Sequence, residues 1–527
     1  MKTRSRPRAI TRRDLLGSGA VLTSVSLAFS NRMDARVPGT LRGEKAFRMR
    51  MAAANFERDE KTATSTDNSD EKELPRYVAM YSKGLPHNAL GEVDPGAYDL
   101  LLRALRTGRQ RDFELVPLAG KIKLTNPQAG LTYNLIGPDP SGIACPPAPR
   151  FASAAQAAEM AELYWQAQVR DVPFAEYDSS PLIARAAEEL GRLRGVATRA
   201  STAFRGDDAG SLAGPYISQF LWKEVPYSPL RVNQRIRTAP RRVDYLDDYD
   251  GWLDLQNGIS GAGAGPDEVP CYVRSGRDLA EYVHRDFTYQ AALSAALILL
   301  KMGAPTNAGN PYAAARIQSG FTTFGAPHLL YLIAAATHAA LTACWFQKWM
   351  VHRRLRPEEM GGRIANHLAK RASYPIHESL LHSDALETTL RARSSALLTS
   401  SYPEGAPTHP AYPAGHAVIS AAGTTILKAF FDENFVIPEP VVCSANGLAL
   451  KRYDGPPLTL RGELDKLATN IGMGRCFAGI HWRSDIDEGL RLGEDVAIRV
   501  LREVRLTTHE PFGGFRFHRF DGESVVA

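Results

Sequence analysis

The sequence predicts a mainly α protein built from packed helical bundles. Three observations carry this. Apolar residues recur at three-to-four spacing over several long stretches. Strand-like runs are few and short. The connectors are rich in Gly and Pro, as they are between packed helices. The chain has 527 residues, 44% of them hydrophobic and 23% charged. That is ordinary globular composition, with room for one large or two medium domains.

In chain order, the N-terminus comes first. Thr11-Arg12-Arg13-Asp14-Leu15-Leu16 is a twin-arginine pattern behind a basic stretch, and an apolar run follows to near Phe29. Residues 1–30 therefore read as an export signal, which places the mature protein in the periplasm or outside the cell. Residues 31–74 are polar, notably Thr62–Glu73, and are expected to form a flexible arm. The folded domain is expected over 75–527. Of the 63 Lys/Arg and 57 Asp/Glu, twelve and three lie in the first fifty residues, leaving 51 basic against 54 acidic. Such a body has no basic footprint, which argues against nucleic acid as a partner.

Helices are expected over Asp94–Leu105, Ala154–Gln168, Pro181–Leu193, Leu279–Met302 and Pro327–Val351. Several follow Asp, Ser or Pro, as helix N-termini do. Gly258–Pro266 and Gly303–Pro311 read as connectors. Phe113–Val116 and Lys121–Leu124 are the strand candidates. No segment after the signal is a convincing membrane span; Ala291–Leu300 is about half the length required. The five cysteines (Cys145, Cys271, Cys344, Cys443, Cys476) include no CxxC, so neither a zinc site nor a redox pair is indicated. Buried free thiols are expected, above all for Cys344 in its apolar helix.

Three stretches carry chemistry. In the first, Lys348 falls on the last turn of the helix ending near Val351, and Arg356 on the exit from it, because a residue before proline avoids helical geometry. Taken alone, Lys348, Arg353, Arg354 and Arg356 would read as a solvated basic face. In the second, His409-Pro-Ala-Tyr-Pro413-Ala414-Gly415-His416 enters a helix continuing to Phe431. Free backbone N–H groups at a helix start cradle an anion, and Gly415 lets the backbone approach it. Alone, this would be a capping turn with a surface histidine. In the third, a helix from Leu464 is expected to break at Gly472–Gly474, pass Arg475, and restart near His481. Asp485 follows one turn later and can hold the His481 ring; alone, this would be a helix-stabilising pair. Together the stretches offer Lys348, Arg356, Arg475, two imidazoles and a glycine N–H, which is a complete receptor for a tetrahedral oxyanion.

The combined pattern, Lys348-x7-Arg356-Pro357, Pro413-Ala-Gly-His416 and Arg475-x5-His481-x3-Asp485, resembles the vanadium-dependent haloperoxidases, and more distantly the acid phosphatases that share their anion site. The seven-residue gap is similar to the algal and bacterial bromoperoxidase branch. So are Leu85-Pro-His-Asn-Ala-Leu-Gly91, Gly214-Pro-Tyr-Ile-Ser-Gln219 and Val351-His-Arg-Arg-Leu-Arg-Pro-Glu358. The resemblance runs from about Arg76 to Arg505 and puts the site within about 325–500.

It implies vanadate as cofactor and hydrogen peroxide, a halide and a small organic acceptor as substrates. It also implies a homo-oligomer. His481 would bond the metal. Lys348, Arg356, Arg475 and the Gly415 N–H would neutralise the oxyanion, and Lys348 would polarise bound peroxide. His416 would act as acid and base, and Asp485 would orient His481. Two positions bear on halide choice. His409 is similar to bromoperoxidases and Trp345 to chloroperoxidases, with bromide and iodide favoured. Ala414 stands where the family usually has serine, which removes one hydrogen bond to the oxyanion. The alternatives are a phosphatase with His481 as nucleophile, and an exported oxyanion-binding protein without activity.

Overall fold

A computed structural model of the chain describes residues 39–60, 64–259 and 261–527. The twin-arginine signal lies outside the described residues. The chain divides at residue 48, and everything below concerns the second unit, 49–527, apart from the start of the first helix.

Twelve helices of ten residues or more occur among the described residues. They are α1 (Gly39–Asp59), α2 (Pro95–Thr107), α3 (Ala154–Val169), α4 (Pro181–Arg194), α5 (Gly276–Arg285), α6 (Gln290–Met302), α7 (Ala326–Phe346), α8 (Pro357–Leu368), α9 (Asp384–Arg393), α10 (Gly415–Phe430), α11 (Leu460–Phe477) and α12 (Arg483–Thr507). Local chemistry sets their ends. Asp94 accepts from the Ala97 N–H at the start of α2, Pro95 occupies its first turn, and Gly108 closes it at φ 61°. Ser180, Pro181 and Gly195 do the same for α4. Among the described residues strand is confined to three antiparallel hairpins: β1 (Val225–Tyr227) with β2 (Leu230–Val232), β3 (Val441–Cys443) with β4 (Leu450–Arg452), and β5 (Arg516–His518) with β6 (Ser524–Val526).

The centre of the molecule is α10. Of its residues, His416 alone is not fully buried. It packs against α7, α11 and α12. Each Leu or Ile buried on such a face contributes roughly 1.5–3 kcal/mol, so the N-terminus of α10 is held by the best-packed part of the fold. The approach of α12 requires glycine, because a Cβ on Gly493 would lie 2.1 Å from the Val418 carbonyl oxygen.

Several expectations need correction. Residues 39–59, expected in a flexible arm, form α1; the run Arg48–Phe56 contains only helix-tolerant residues without Gly or Pro. The packed body also begins before residue 75: Asp70 is buried and accepts from the Phe151 N–H at 2.8 Å, and Ser65 Oγ accepts from Gln347. The expected helix Leu279–Met302 is two helices, α5 and α6, parted at Asp286–Tyr289. The helix expected to end near Val351 gives way after Phe346 to a π-helical turn, Gln347–His352. No break occurs at Gly472–Gly474; α11 runs through Arg475 to Phe477, because Gly474 packs against Leu279 and Val283 and so allows α5 to lie close. Neither strand candidate is a strand: Gln110–Phe113 is a helical turn, and Lys121–Leu124 makes no ladder. Ala326–His352 is long and apolar enough to cross a membrane, but α7 packs against α10 and α12. All five cysteines are buried and free.

Candidate active site

The three stretches meet at the N-terminus of α10. Lys348 sits inside the π-helical turn, a feature often found at functional sites. It is fully buried, and its Nζ donates to the carbonyls of Pro410 and Ala411, both at 2.7 Å. Burial, with the nearby Arg356 and Arg475 charges, pulls its pKa down to about 7.

Arg356 leaves that turn just before α8, in extended geometry (φ −83°, ψ 156°), as a residue before proline should. Its Nη1 donates to His481 Nε2 at 2.9 Å and to the Ile480 carbonyl at 2.8 Å. Its Nη2 donates to His409 Nδ1 at 3.0 Å, and its Nε to the His409 carbonyl. Arg475, on the last turn of α11, donates from Nη1 to the Val283 carbonyl at 2.7 Å and to Tyr402 Oη at 3.3 Å. Its Nε is buried without any partner.

The imidazoles are held in defined states. His481 Nδ1 lies 2.8 Å from Asp485 Oδ2. A carboxylate only accepts, so Nδ1 carries the proton and Nε2 presents a lone pair. Burial and then the Arg356, Lys348 and Arg475 charges hold the His481 pKa well below its usual value, so the ring is neutral. Asp485 accepts from the Trp482 N–H at 3.0 Å and from Arg354 Nη1 at 2.8 Å. His416 opens α10 with Nε2 3.0 Å from Asp286 Oδ1, which leaves Nδ1 to take or give a proton. Burial and Arg475 lower its pKa, and Asp286 opposes them. His409 is neutral for the same reasons, burial first and then Lys348 and Arg356. Its Nδ1 also lies 3.1 Å from the Pro410 carbonyl. Its ring leans on Trp345 with centroids 4.8 Å apart.

Lys348 lies over the Trp345 ring, and Arg475 is near enough to His416 and His481 for its charge to act on both. Arg356, His481, Asp485 and His409 are joined by direct hydrogen bonds, and Trp345 joins them through His409. A Cβ on Gly415 would meet Trp345 at 3.5 Å, so the glycine keeps the space between them open. The solvated-face reading of Arg353 and Arg354 is wrong. Arg353 pairs with Glu71, and Arg354 with Asp485 and Glu159. Sequence reasoning missed Asp286, Arg354 and Tyr402. Asp286 was hidden inside a helix that actually stops before it; an acidic residue followed by Phe-Thr-Tyr was the available signal.

A vanadate oxyanion fits this donor set. The side chains of Lys348, Arg356 and Arg475 contact carbonyls, imidazole or hydroxyl, and among the described residues none of these side chains pairs with a carboxylate. Ala414 provides no side-chain cap, so the first N–H groups of α10 are left for a ligand. The partnerless Arg475 Nε and His481 Nε2, whose lone pair here accepts from Arg356, complete the donor set.

Comparison with known proteins agrees. Residues 328–509 match the family model described as the VCPO second helical-bundle domain. The chain is 34% identical over 531 residues to a vanadium-dependent bromoperoxidase of Ascophyllum nodosum, covering 94% of each. It is 34% identical to another from Corallina pilulifera, covering 87% of this chain and 92% of the relative. The solved homohexameric structure of the second vanadate-dependent bromoperoxidase of Ascophyllum nodosum superimposes with a TM-score of 0.87 at 26% identity, covering 98% of this chain and 95% of that one. Fold and site thus define a helical bundle whose buried cations and imidazoles form a candidate oxyanion site. The chain belongs to the vanadium-dependent haloperoxidase family, in its bromoperoxidase-like branch.

Proposed function

We propose that the protein binds vanadate and oxidises bromide and iodide with hydrogen peroxide, producing hypohalous acid that halogenates small organic acceptors. The observation that carries this is the group of three buried cations without a carboxylate partner, set around a neutral His481. Bound vanadate supplies a Lewis-acidic centre that activates hydrogen peroxide toward halide. His481 would hold it through Nε2, with Asp485 keeping the ring in the ligating tautomer. Lys348, Arg356, Arg475 and the Gly415 N–H would neutralise the oxygens, acting as charges already in place before reaction. His416 moves protons at Nδ1, and Asp286 stabilises the imidazolium that results. Overall, hydrogen peroxide, halide and one proton give hypohalous acid and water. His409, the bromoperoxidase-like position, packs against Trp345, and it supports the choice of bromide and iodide.

Export by the twin-arginine route is inferred from residues 11–16, and a homo-oligomer from the hexameric relative. Cell fractionation and light scattering test these two points.

The test of function uses full-length protein stripped of metal and anions. Peroxide-dependent bromination of a dione dye should appear only with vanadate and be competed away by phosphate. Hydrolysis of a phosphate ester by the stripped protein, inhibited by vanadate and without bromination, would assign it to the phosphatase branch instead.

A further inference from the structure

The C-terminal turn of α5 supports two site residues at once. The Val283 carbonyl accepts from Arg475, and Asp286 holds His416. Between them in sequence stands His284, which has no part in the chemistry above.

His284 is bonded at both ring nitrogens to carboxylates. Nδ1 lies 3.2 Å from Glu281 Oε2, and Nε2 lies 2.5 Å from Glu404 Oε1. Because carboxylates only accept, both nitrogens must carry protons, and the ring is an imidazolium. Burial lowers its pKa, but the two carboxylates outweigh burial and raise it to about 9. The ring stacks on Tyr402, with centroids 3.9 Å apart and planes at 11°. Tyr402 is buried, donates its hydroxyl to the Ala280 carbonyl at 2.6 Å, and accepts from Arg475 Nη1. The Arg475 guanidinium carbon lies 5.3 Å from the Tyr402 ring centroid. Tyr402 and Glu404 belong to one loop, so His284 grips that loop by a ring face and a ring edge. The loop is further held by Lys83, which donates to the carbonyls of Glu404 and Ala406 and pairs with Glu358. The other charged groups around His284 are Arg285, paired with Glu281, and Asp286 in the next turn.

We propose, on the reading of the site as an oxyanion receptor, that His284 is a positioning residue. Clamped as an imidazolium between Glu281 and Glu404, it holds Tyr402 against Arg475. That contact occupies Arg475 Nη1 and leaves Nε free to meet the oxyanion. The latch joins α5 to the 394–414 loop and acts on the anion only through Arg475.

The test is calorimetric titration of stripped full-length protein with vanadate, and separately with phosphate. His284→Gln is expected to weaken vanadate binding about tenfold, as for other groups that orient a ligand to a metal site. His284→Arg restores wild-type affinity, because a guanidinium can stack on Tyr402 and donate to both carboxylates. Between pH 8 and pH 10 the wild type should lose affinity relative to His284→Arg, whose charge persists; titration of the anion and of Lys348 cancels in that ratio. In an Arg475→Ala background His284→Gln should have no further effect. Equal affinity of wild type and His284→Gln, or additive losses with Arg475→Ala, would overturn the latch and leave the site reading intact. If the wild type binds neither anion, the site reading falls, and the latch with it. Should His284→Gln not fold, Glu404→Gln replaces it, since that side chain is 44% exposed.

Discussion

The two ends of α10 treat buried cations in opposite ways. At the C-terminal end Lys428 is fully buried and donates to Asp465 at 2.9 Å and Glu494 at 3.4 Å. Burial alone would lower its pKa, but the two carboxylates raise it. At the N-terminal end the side chains of Lys348, Arg356 and Arg475 pair with no carboxylate among the described residues. There burial takes the Lys348 pKa down to about 7 and Arg356 down to about 10. A fold can neutralise a buried ammonium with its own acids, and here it does so twelve residues away on the same helix. On the proposed reading, the cations left without a carboxylate partner are kept for an anion from outside. Arg354 makes the same point at closer range, since it is neutralised by Asp485 and Glu159 beside the site.

The comparison can be broken most directly at His481. His481→Ala removes the lone pair proposed to hold vanadate and should cut vanadate-dependent bromination about a thousandfold. Thermal stability of the anion-free protein should change little by comparison. Retained turnover in a halide assay would show that the charge-rich end of α10 is not the reaction centre.

Lys428→Met attacks the other end. It leaves Asp465 and Glu494 buried without their cation, and should cost about 3–5 kcal/mol in urea unfolding. Vanadate affinity of the folded fraction should stay as in wild type. A change in affinity without a change in stability would erase the distinction between the two ends.

pH separates them more gently. Lys348 has a lower pKa folded than unfolded, so between about pH 7 and its ordinary value of 10.5 the unfolded chain binds a proton that the folded chain does not. Stability of the anion-free protein should therefore rise with pH over that window, by at most about 1.4 kcal/mol per unit for one proton. Saturating phosphate or vanadate restores the Lys348 charge and should flatten the rise. Melting curves from pH 7 to 10, with and without anion, check this.

The smallest effect expected is from Ala414→Ser. Ala414 is the N-cap of α10 and makes no side-chain bond. A serine hydroxyl can either cap the helix, adding about 1 kcal/mol of stability without anion, or bond the oxyanion, tightening vanadate about tenfold. Comparing melting temperature with calorimetric affinity distinguishes the two.

The residues proposed to hold the anion were legible in the sequence. Lys348, Arg356, Gly415, His416, Arg475 and His481 are spaced by local geometry: a helix end, a residue before proline, a helix start, and a histidine four residues from its carboxylate. These depend on backbone rules acting over a few residues, which sequence carries directly. The mainly α class was legible for the same reason, because three-to-four apolar spacing is a property of each helix by itself.

What only the tertiary structure decided is which groups hold those residues in place. Asp286 reaches His416 across 130 positions, Tyr402 reaches Arg475 across 73, and Arg354 reaches Asp485 across 131. Such pairs leave no periodicity and no spacing rule. The split of α5 from α6, the π-helical turn under Lys348 and the unbroken run of α11 through Gly474 also came from packing between elements. The sequence by itself determined the class of the fold and named the residues of the candidate site. The tertiary structure decided which cations the protein's own acids neutralise and which are left without a carboxylate partner, because burial and counter-charge depend on residues that meet only when the bundle closes.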